Sequence, residues 1–498
     1  MKKPNILVVY ADQMRYDCMG PSGNPDVKTP HLDRLAQEGT TFDNAFVSYP
    51  LCTPFRGSFL TGKYAHSNGL YSNHFAIEPE RQPSIGPILR ESGYHNGYIG
   101  KWHLFGGPKP GFVPPGPDRM GFDHFVGYNR GHQYMDAVYF RDTEQPYRCK
   151  RYEPDVQTEH TIDFMQSVLE KPGDNPFFAY VCFGPPHFPM DMPDYLKKMY
   201  DPNSLSLPPG VPDADAQRAF VRERIDYDFD GDANVLEKSK AAGGSKKPGE
   251  PETEAEIRQF MAEYYAMISN VDHNVGILLN WLEGRGVLDD TIVIFLSDHG
   301  DMLGQHGHFC GWKRSCFRSS MQVPFFVRYP KRFGAGKRAA SLVDISIDSM
   351  PTLLEICGLP IPDGVQGKSL VPVLESDTPV REAVMYELMK QSQGGREQQH
   401  AKPERGIRTL EWLYVRKKDK PVYLFDQVND PLEQHNLLDN PAYAHVQKEL
   451  DARVREHMNA TGDDYDLEMP WPPRDFVGHA EADRILKSEI HAQAITVP

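Results

Sequence analysis

The sequence contains no long apolar segment. In its 498 residues, the amino-terminal stretch MKKPNILVVYADQ offers only a short apolar run before Asp12, too short for a secretory leader or a membrane-spanning helix. We therefore expect no membrane partner and a cytoplasmic location, or a periplasmic or secreted one if a leader has been removed. The seven cysteines show no paired spacing, so the sequence predicts no disulfide framework.

Positively charged residues are fewer than negatively charged ones. The chain carries 54 Lys and Arg against 69 Asp and Glu, which gives a net charge of −15. Nucleic acids and anionic membranes bind basic surfaces, so we expect neither as a partner. A local cationic pocket within an acidic surface remains compatible with an anionic small molecule or oligosaccharide as substrate. The sequence does not indicate an oligomeric state.

Buried strands and amphipathic helices alternate along the chain. Continuous apolar runs predict buried parallel strands, and the spacing of apolar residues between them predicts helices. This alternation favours an α/β fold with helices on both faces of a large, mostly parallel sheet. The strands are predicted at residues 6–11, 177–183, 291–296 and 324–329, and the helices at residues 31–38, 84–92, 158–169 and 255–283.

The length and the changes of composition predict two units. We expect a large α/β domain over residues 1–378, with a surface excursion at 201–254 that is rich in proline, glycine and charge. Residues 379–498 are expected to form a smaller α+β subdomain. Within it, residues 405–418 and 421–427 resemble short antiparallel strands, and residues 441–458 a helix.

Polar pairs follow two of the predicted strands. Asp12 and Gln13 come after the first strand, and Asp298 and His299 after the third. Ligands bind beyond the carboxyl ends of the strands in such sheets, so we expect these side chains to meet. Two carboxylates, an amide oxygen and an imidazole suit a divalent cation. The sequence therefore predicts a metal site.

The segment LCTPFRGSFLTG contains a C-x-P-x-R pentapeptide from Cys52 to Arg56. Taken alone, it is also compatible with a buried cysteine in a proline-bounded turn. Further motifs follow it in a fixed order. They are G-Y-x5-G-K-W-H at 93–103, P-P-H at 185–187, S-D-H-G-D-x-L-G-x-H-G at 297–307, Lys313 and V-P-x3-R-Y-P at 323–330.

This series of motifs, from residue 5 to about 375, resembles the type I sulfatases of the alkaline phosphatase superfamily. The resemblance implies a sulfatase-like α/β sandwich with a large, mostly parallel central sheet and a short antiparallel sheet in the carboxyl-terminal subdomain. It also implies that a maturation enzyme converts Cys52 to formylglycine, whose hydrated aldehyde is the nucleophile.

The resemblance further implies a set of site residues. One divalent cation, calcium by preference and magnesium or manganese otherwise, would be held by Asp12, Gln13, modified Cys52, Asp298 and His299. Asp298 would accept the proton of the attacking hydroxyl, and His187 with Lys313 would protonate the leaving alcohol. The catalytic set implied is Cys52, Arg56, Lys101, His103, His187, Asp298 and Lys313, in which Arg56 orients the diol, His103 acts as a base, and the lysines surround the sulfate.

The expected function is a sulfuric ester hydrolase acting on a sulfated carbohydrate, with Trp102, Tyr134 and Trp312 as candidates to line a saccharide cleft. Gln13 replaces an aspartate that is frequent in the family, and together with Asp298-His299 it resembles the phosphonate monoester and phosphodiester hydrolases. Arg318 adds a cation near the site motifs, which would suit a multiply charged substrate. A hydrolase of those two ester types is the alternative, and a non-catalytic glycan-binding relative is a more remote one.

A second cation motif lies in the charged excursion. Asp226, Asp228, Asp230 and Glu237 fit the calcium-loop pattern D-x-D-x-D-G-x5-E, in which Gly231 permits the sharp turn. Such loops normally stand between two helices, and Gly243-Gly244 would cut the second helix short. A solvated acidic loop is the alternative interpretation.

Overall fold

The computed structural model describes residues 3–73, 75–106, 110–212, 252–389, 403–465, 490 and 492–497. The predicted calcium loop, with Asp226, Asp228, Asp230 and Glu237, lies outside the described residues, and so does most of the excursion at 201–254. Within the described part, no helix combines the length and the apolar character that a membrane crossing needs.

In the described part of the chain, fifteen strands form three sheets. They are β1 (Asn5–Asp12), β2 (Thr40–Phe46), β3 (His95–Lys101), β4 (His124–Tyr128), β5 (Met135–Tyr139), β6 (Tyr147–Tyr152), β7 (Phe177–Pro186), β8 (Thr291–Ser297), β9 (Phe325–Arg328), β10 (Lys337–Asp344), β11 (Val384–Leu388), β12 (Glu404–Arg408), β13 (Trp412–Lys417), β14 (Pro421–Asp426) and β15 (Ile495–Val497).

The central sheet has eight strands in the order β10-β2-β9-β8-β1-β7-β3-β4. All eight residues of β1 are buried, as its continuous apolar run predicted. The strand pairs with β7 on one side and β8 on the other, both parallel. This confirms a large, mostly parallel sheet.

The strand predicted at 324–329 exists as β9, but the prediction that it is parallel is wrong. It runs antiparallel to both β2 and β8. A continuous apolar run shows that both faces of a strand are buried, whereas strand direction depends on the connections, so the run could not reveal it.

Among the described residues, helices cover both faces of this sheet, and the last helix, α12 (Ala444–Thr461), packs against the carboxyl-terminal sheet instead. They are α1 (Pro30–Glu38), α2 (Cys52–Thr61), α3 (Ala65–Asn68), α4 (Ile85–Glu91), α5 (Glu153–Leu169), α6 (Asp194–Lys197), α7 (Glu254–Gly284), α8 (Arg318–Met321), α9 (Pro330–Phe333), α10 (Ile345–Ile356), α11 (Val371–Ser376) and α12 (Ala444–Thr461).

Alternate residues of β1 divide the core into two layers. Ile6 and Val8 point to the layer that contains α2, α4 and α10. Leu7 and Val9 point to the layer that contains α1, α5 and α7. Because successive side chains of a strand point to opposite faces, one apolar run supports both layers.

The carboxyl-terminal part forms the antiparallel sheet β11-β12-β13-β14, as the sequence predicted. Tyr386 and Val415 of this sheet belong to the main core, so the sheet packs against the large domain. Helix α12 covers it through Leu450 and Val454. A third sheet, β15-β6-β5, was not predicted from the sequence. All seven cysteines are free thiols, so the prediction of no disulfide framework is confirmed.

Candidate active site and metal centre

Four neighbouring strands bring the predicted site residues together. In the sheet order β8-β1-β7-β3, Asp298 follows β8, Asp12 ends β1, His187 follows β7 and Lys101 ends β3. These strands run parallel, so their carboxyl ends lie at one edge of the sheet. The polar clusters therefore meet where an α/β sheet places its ligands.

Cys52 is the first residue of α2 and is only 1% exposed. The following residue, Thr53, fixes this helix end because its hydroxyl donates to the His103 carbonyl at 2.8 Å. The Cys52 Sγ lies 3.4 Å from His299 Nε2 and 3.7 Å from Lys313 Nζ. Burial, followed by the Asp12 carboxylate, raises the pKa of the Cys52 thiol. An unmodified Cys52 is thus a protonated thiol and a poor nucleophile.

The ligand atoms of Asp12, Cys52, Asp298 and His299 lie within 4.8 Å of one another, and all four residues are buried. Asp298 Oδ2 has no hydrogen-bond partner among the described residues. The Nδ1–H of His299 donates to the Gly300 carbonyl at 3.0 Å, which leaves Nε2 with its lone pair. A buried acceptor without a donor and an imidazole fixed as an acceptor fit a divalent cation.

The two carboxylates of this centre have opposite pKa shifts. Burial, and then the negative charge of Asp12, raises the pKa of Asp298 to about 6. Burial also acts to raise the pKa of Asp12, but Lys101 and Arg56 outweigh it and hold that pKa well below its usual range. Lys101 Nζ is 2.8 Å and an Arg56 amino group 3.1 Å from Asp12 Oδ2. Asp12 is therefore the permanently charged member of the pair.

Gln13 lies beside this centre in a left-handed backbone conformation, with φ of 69°. Its Nε2 donates to Asp301 Oδ2 at 2.6 Å and to the Gly311 carbonyl at 2.9 Å. Its Oε1 accepts from Lys313 Nζ at 2.9 Å. The two acceptors at Nε2 fix the orientation of the amide, so its oxygen faces the lysine side of the site.

Lys313 and His187 form a close pair. Lys313 Nζ is 2.5 Å from His187 Nε2, while His187 Nδ1 is 2.6 Å from the Phe188 carbonyl. A carbonyl only accepts, so Nδ1 carries the hydrogen and Nε2 accepts from the ammonium. Burial, and then Lys313, holds the pKa of His187 well below its usual range. One proton thus lies between the two side chains, and Lys313 Nζ is 3.7 Å from Cys52 Sγ.

The Arg56 guanidinium is held by contacts with the protein groups around the site. Its guanidinium lies over the Tyr10 ring at 4.5 Å and donates to the Lys101 carbonyl at 2.6 Å. Together with its contact to Asp12, these bonds connect the ends of β1 and β3. The arginine is therefore fixed between Asp12 and the main chain at the end of β3, and its role in orienting the diol stays a prediction.

His103 also has a defined tautomer. Its Nε2 is 3.0 Å from the Asn73 carbonyl, so Nε2 carries the hydrogen. Its Nδ1 is buried and has no hydrogen-bond partner among the described residues. Burial, and then Lys101, holds the pKa of His103 well below its usual range. The result is a neutral imidazole with a lone pair, which suits a base.

Sequence reasoning missed two residues of this site. Asp301 stands in the motif S-D-H-G-D but received no role, although it orients Gln13. His132 follows β4, a strand that the sequence did not predict, and its Nε2 lies 2.9 Å from Lys101 Nζ. The stretch YNRGHQY, a histidine between two aromatic residues just beyond a strand, was the available signal.

Two expectations about individual side chains are wrong. Trp102 is fully buried against Tyr98 and Phe122, and Tyr134 is fully buried as well, so neither lines an open cleft. Their loops fold back on the core, and burial of such large apolar surfaces outweighs exposure.

Arg318 also differs from expectation. Its guanidinium donates to the side chains of Gln322 and Gln427 at 3.2 Å. It lies over the Phe46 ring at 5.6 Å. Gln427 directly follows β14, so Arg318 joins the large domain to the carboxyl-terminal sheet rather than providing a free cation for substrate.

Two family models match the chain. The sulfatase model covers residues 4–359, and the model of the carboxyl-terminal region of N-sulphoglucosamine sulphohydrolase covers residues 304–460. Among curated proteins, an ulvan-active sulfatase of Formosa agariphila is 32% identical over 470 residues, which span 93% of this chain and 82% of that protein.

Solved structures also resemble the chain. A protein in complex with its substrate D-glucosamine-2-N,6-O-disulfate aligns with a TM-score of 0.78 and 28% identity, over 94% of this chain and all of that one. A phosphonate monoester hydrolase of Agrobacterium radiobacter aligns with a TM-score of 0.72 and 24% identity, over 92% of this chain and 96% of that one; this likeness concerns the fold alone. With a family model matching most of its length, the chain belongs to the sulfatase family, and the predicted sulfuric ester hydrolase is confirmed.

Proposed function

We propose that this sulfatase hydrolyses a sulfate monoester on a sulfated carbohydrate. The observation that carries the proposal is the environment of Cys52 Sγ, which lies among two buried carboxylates, an imidazole and the Lys313 ammonium. The names of the relatives support the carbohydrate part, since one acts on ulvan and another holds a disulfated glucosamine as its substrate.

The cationic side chains would hold the sulfate group. A sulfate ester presents anionic oxygens, and the site contains two ammonium groups, Lys101 in contact with Asp12 and Lys313 in contact with Gln13. Lys101 is 1% exposed, so its charge acts in an environment of low dielectric constant. Charge that develops on the sulfate oxygens during reaction is therefore stabilised more strongly than it would be in water.

Proton transfers would use the three imidazole and ammonium groups whose hydrogen positions are fixed. The proton between Lys313 Nζ and His187 Nε2 is the one available for the leaving oxygen. The lone pair at His103 Nδ1 is the one available to accept a proton when sulfate is released. Asp298 is the proposed acceptor for the proton of the attacking hydroxyl.

Two groups complete the proposed site. A formylglycine at position 52 would supply, after hydration, the attacking hydroxyl and a second one that allows release of sulfate. A divalent cation, calcium with magnesium and manganese as alternatives, would be held by Asp12, Gln13, residue 52, Asp298 and His299 and would lower the pKa of a bound hydroxyl. Because Cys52 is almost fully buried, the maturation enzyme would have to act before the chain has folded.

The proposal is tested by mass spectrometry and by parallel assays on one preparation. The tryptic peptide of residues 35–56 should contain formylglycine, metal analysis should find one divalent cation per chain, and Cys52→Ala should be inactive. The kcat/KM should be larger for an aryl sulfate than for the matching aryl phosphonate, and a sulfated saccharide should be desulfated.

Other outcomes would contradict the proposal. Full activity with an unmodified Cys52 would exclude the formylglycine route. A larger kcat/KM for the phosphonate would favour the phosphonate or phosphodiester hydrolase, whose structures share this fold. Formylglycine-containing, metal-loaded protein that binds a sulfated saccharide without turnover would favour the glycan-binding alternative.

A further inference from the structure

His132 forms a second lysine–histidine pair, with Lys101 as its partner. It is half-buried in the loop between β4 and β5, with its Nε2 2.9 Å from Lys101 Nζ. Its ring stacks face to face on the ring of His187, with centroids 3.7 Å apart and planes inclined by 8°. The Tyr134 hydroxyl lies 2.8 Å from His132 Nδ1 and 2.6 Å from the His187 carbonyl.

The direction of these hydrogen bonds follows from the chemistry of the partners. An ammonium only donates, so the Nε2 of His132 must accept from Lys101. A carbonyl only accepts, so the Tyr134 hydroxyl donates to His187 and its oxygen accepts from the Nδ1–H of His132. The tautomer of His132 is therefore fixed from both ends, with the hydrogen on Nδ1.

The two lysines then have equivalent arrangements. Lys101 donates to Asp12 and His132, and Lys313 donates to Gln13 and His187. An ammonium has three hydrogens, so Lys101 keeps one N–H beyond these two bonds, while the third N–H of Lys313 is directed at Cys52 Sγ, 3.7 Å from Nζ. The stacked histidine rings tie the two lysines into a single unit around Cys52.

We propose that His132 is a positioning residue for the reaction. Its Nε2 accepts from Lys101 and thereby directs the remaining N–H of Lys101 at a sulfate oxygen. Its ring stacks on His187 and holds that ring in one plane. From this plane, the proton shared by Lys313 and His187 reaches the leaving oxygen. This proposal rests on the proposed sulfatase function. It adds His132 to the set of site residues expected from the sequence, and it assigns separate roles to the His132 ring and to its Nε2.

Two substitutions separate the two roles. His132→Phe keeps an aromatic ring against His187 but removes the acceptor for Lys101. His132→Gln keeps an acceptor oxygen at the place of Nε2 but removes the ring. His273→Gln, exposed on α7, is the matched control and should leave activity unchanged.

The substrates are two aryl sulfates whose phenols differ in acidity. In His132→Phe we expect a higher KM and a loss of kcat/KM of about tenfold for both substrates, because sulfate binding by Lys101 is weakened. In His132→Gln we expect a loss of kcat that is about tenfold larger for the less acidic phenol, because only a poor leaving group needs its proton donor well placed. Equal losses in both variants on both substrates would indicate packing alone and overturn the proposal.

A measurement without turnover separates this proposal from the proposed function. Nitrogen-15 spectra of labelled histidines, with His132 assigned by its absence from the His132→Gln spectrum, should show His132 as the Nδ1–H tautomer in wild-type protein. Tyr134→Phe should weaken that preference. An Nε2–H tautomer in wild type would overturn the positioning role, whereas a wild-type enzyme that is inactive with formylglycine and metal in place would overturn the sulfatase proposal.

Discussion

At the scale of single residues, the site is defined by the direction of its hydrogen bonds. His187 and His299 each carry the hydrogen on Nδ1, because that nitrogen faces a main-chain carbonyl. His103 carries it on Nε2 for the same reason. Each imidazole therefore presents one lone pair: that of His187 faces Lys313, that of His299 faces the metal centre, and that of His103 is on Nδ1, the nitrogen that does not bond to Asn73. Neutral histidines with fixed tautomers allow lysines and a cation to share a small volume without repulsion from imidazolium.

Asp301 controls the orientation of Gln13, which gives a first residue-scale prediction. Asp301→Asn keeps the shape of the side chain but can place an NH2 group against the Gln13 NH2 group. The Gln13 amide would then turn, and Lys313 would lose its acceptor. We expect kcat/KM to fall about 10- to 100-fold, as is typical when a residue that orients a ligand is changed. Steady-state kinetics on an aryl sulfate measure it.

A double variant that combines Gln13→Glu with Asp301→Asn provides the control. The carboxylate introduced at position 13 can accept from the amide introduced at position 301, so part of the loss should be recovered relative to the single variant. The coupling between the two positions is read from a double-mutant cycle. Asp301→Asn with wild-type kcat/KM would contradict the role assigned to Asp301.

Sequence reasoning identified the residues that a motif marks and missed those that act through them. Asp12, Cys52, Asp298 and His299 do lie together, as their motifs predicted. His132 has no motif of its own, and its position depends on the pairing of β4 with β3 at the edge of the sheet. Local sequence contains no information about that pairing. The roles assigned to individual residues stay predictions.

At the scale of elements, the site depends on how closely the loop after β8 approaches α8. Gly300 N donates to the Ser320 carbonyl at 2.8 Å. A Cβ at Gly300 would stand 1.9 Å from the Ser319 carbonyl oxygen, far inside van der Waals contact. Glycine at this position is thus required by the close approach of two backbones, and it lies directly after two of the metal-centre residues.

A substitution at this contact gives an element-scale prediction. Gly300→Ala should lower stability by about 1–3 kcal/mol and reduce kcat/KM, because the backbone must move and carries Asp298 and His299 with it. Gly284→Ala is the matched control. Gly284 ends α7, and apart from its chain neighbours and its own helix backbone no atom of the described residues lies within 4 Å of an added Cβ; alanine favours the helix by up to about 1 kcal/mol. Thermal melts and kinetics compare them. Equal melting temperatures in the two variants would disprove the close contact.

The elements that the sequence predicted correctly are those with a strong local pattern. The helix predicted at 255–283 is observed as Glu254–Gly284 and begins with a capping box of Thr253 and Glu256. Strand β4, His124–Tyr128, was missed because five residues with a glycine give too short a pattern. Helix α2, Cys52–Thr61, is buried on all sides and so lacks the amphipathic spacing that identifies a surface helix.

At the scale of the whole molecule, a buried ion pair and a hydrogen bond from a buried arginine join the carboxyl-terminal sheet to the rest of the chain. Arg408 of β12 pairs with Glu433 at 2.7 Å and donates to the Cys316 carbonyl of the large domain. His66 of α3 pairs with Glu387 of β11 at 2.6 Å, and both side chains are buried. Composition predicted a second unit but not these contacts, because they join residues far apart in the sequence. Breaking a buried pair costs more than an exposed one, since the remaining charge stays buried.

The His66–Glu387 pair predicts how stability depends on pH. Burial acts to lower the pKa of His66, but the neighbouring Glu387 carboxylate has the larger effect and raises it. Burial acts to raise the pKa of Glu387, but the neighbouring His66 has the larger effect and lowers it. The histidine contribution is complete below its unfolded pKa of about 6.5 and is lost as pH rises through the raised value. The glutamate contribution is complete above about pH 4.5 and is lost as pH falls through the lowered value.

Glu387→Gln should therefore cost most stability, about 3 kcal/mol, between about pH 4.5 and 6.5, and clearly less at higher pH, where His66 is neutral. Melting temperatures of wild type and variant at about pH 5.5, 7 and 8.5, in buffer with excess divalent cation, measure the difference. Glu456→Gln, exposed on α12, should change stability by less than about 0.5 kcal/mol at every pH. A stability cost of Glu387→Gln that grew with pH would contradict this prediction. A charged His66 would then not stabilise the contact between α3 and β11. The Glu387 carboxylate would instead act through Arg405 of β12, the next cation that lowers its pKa.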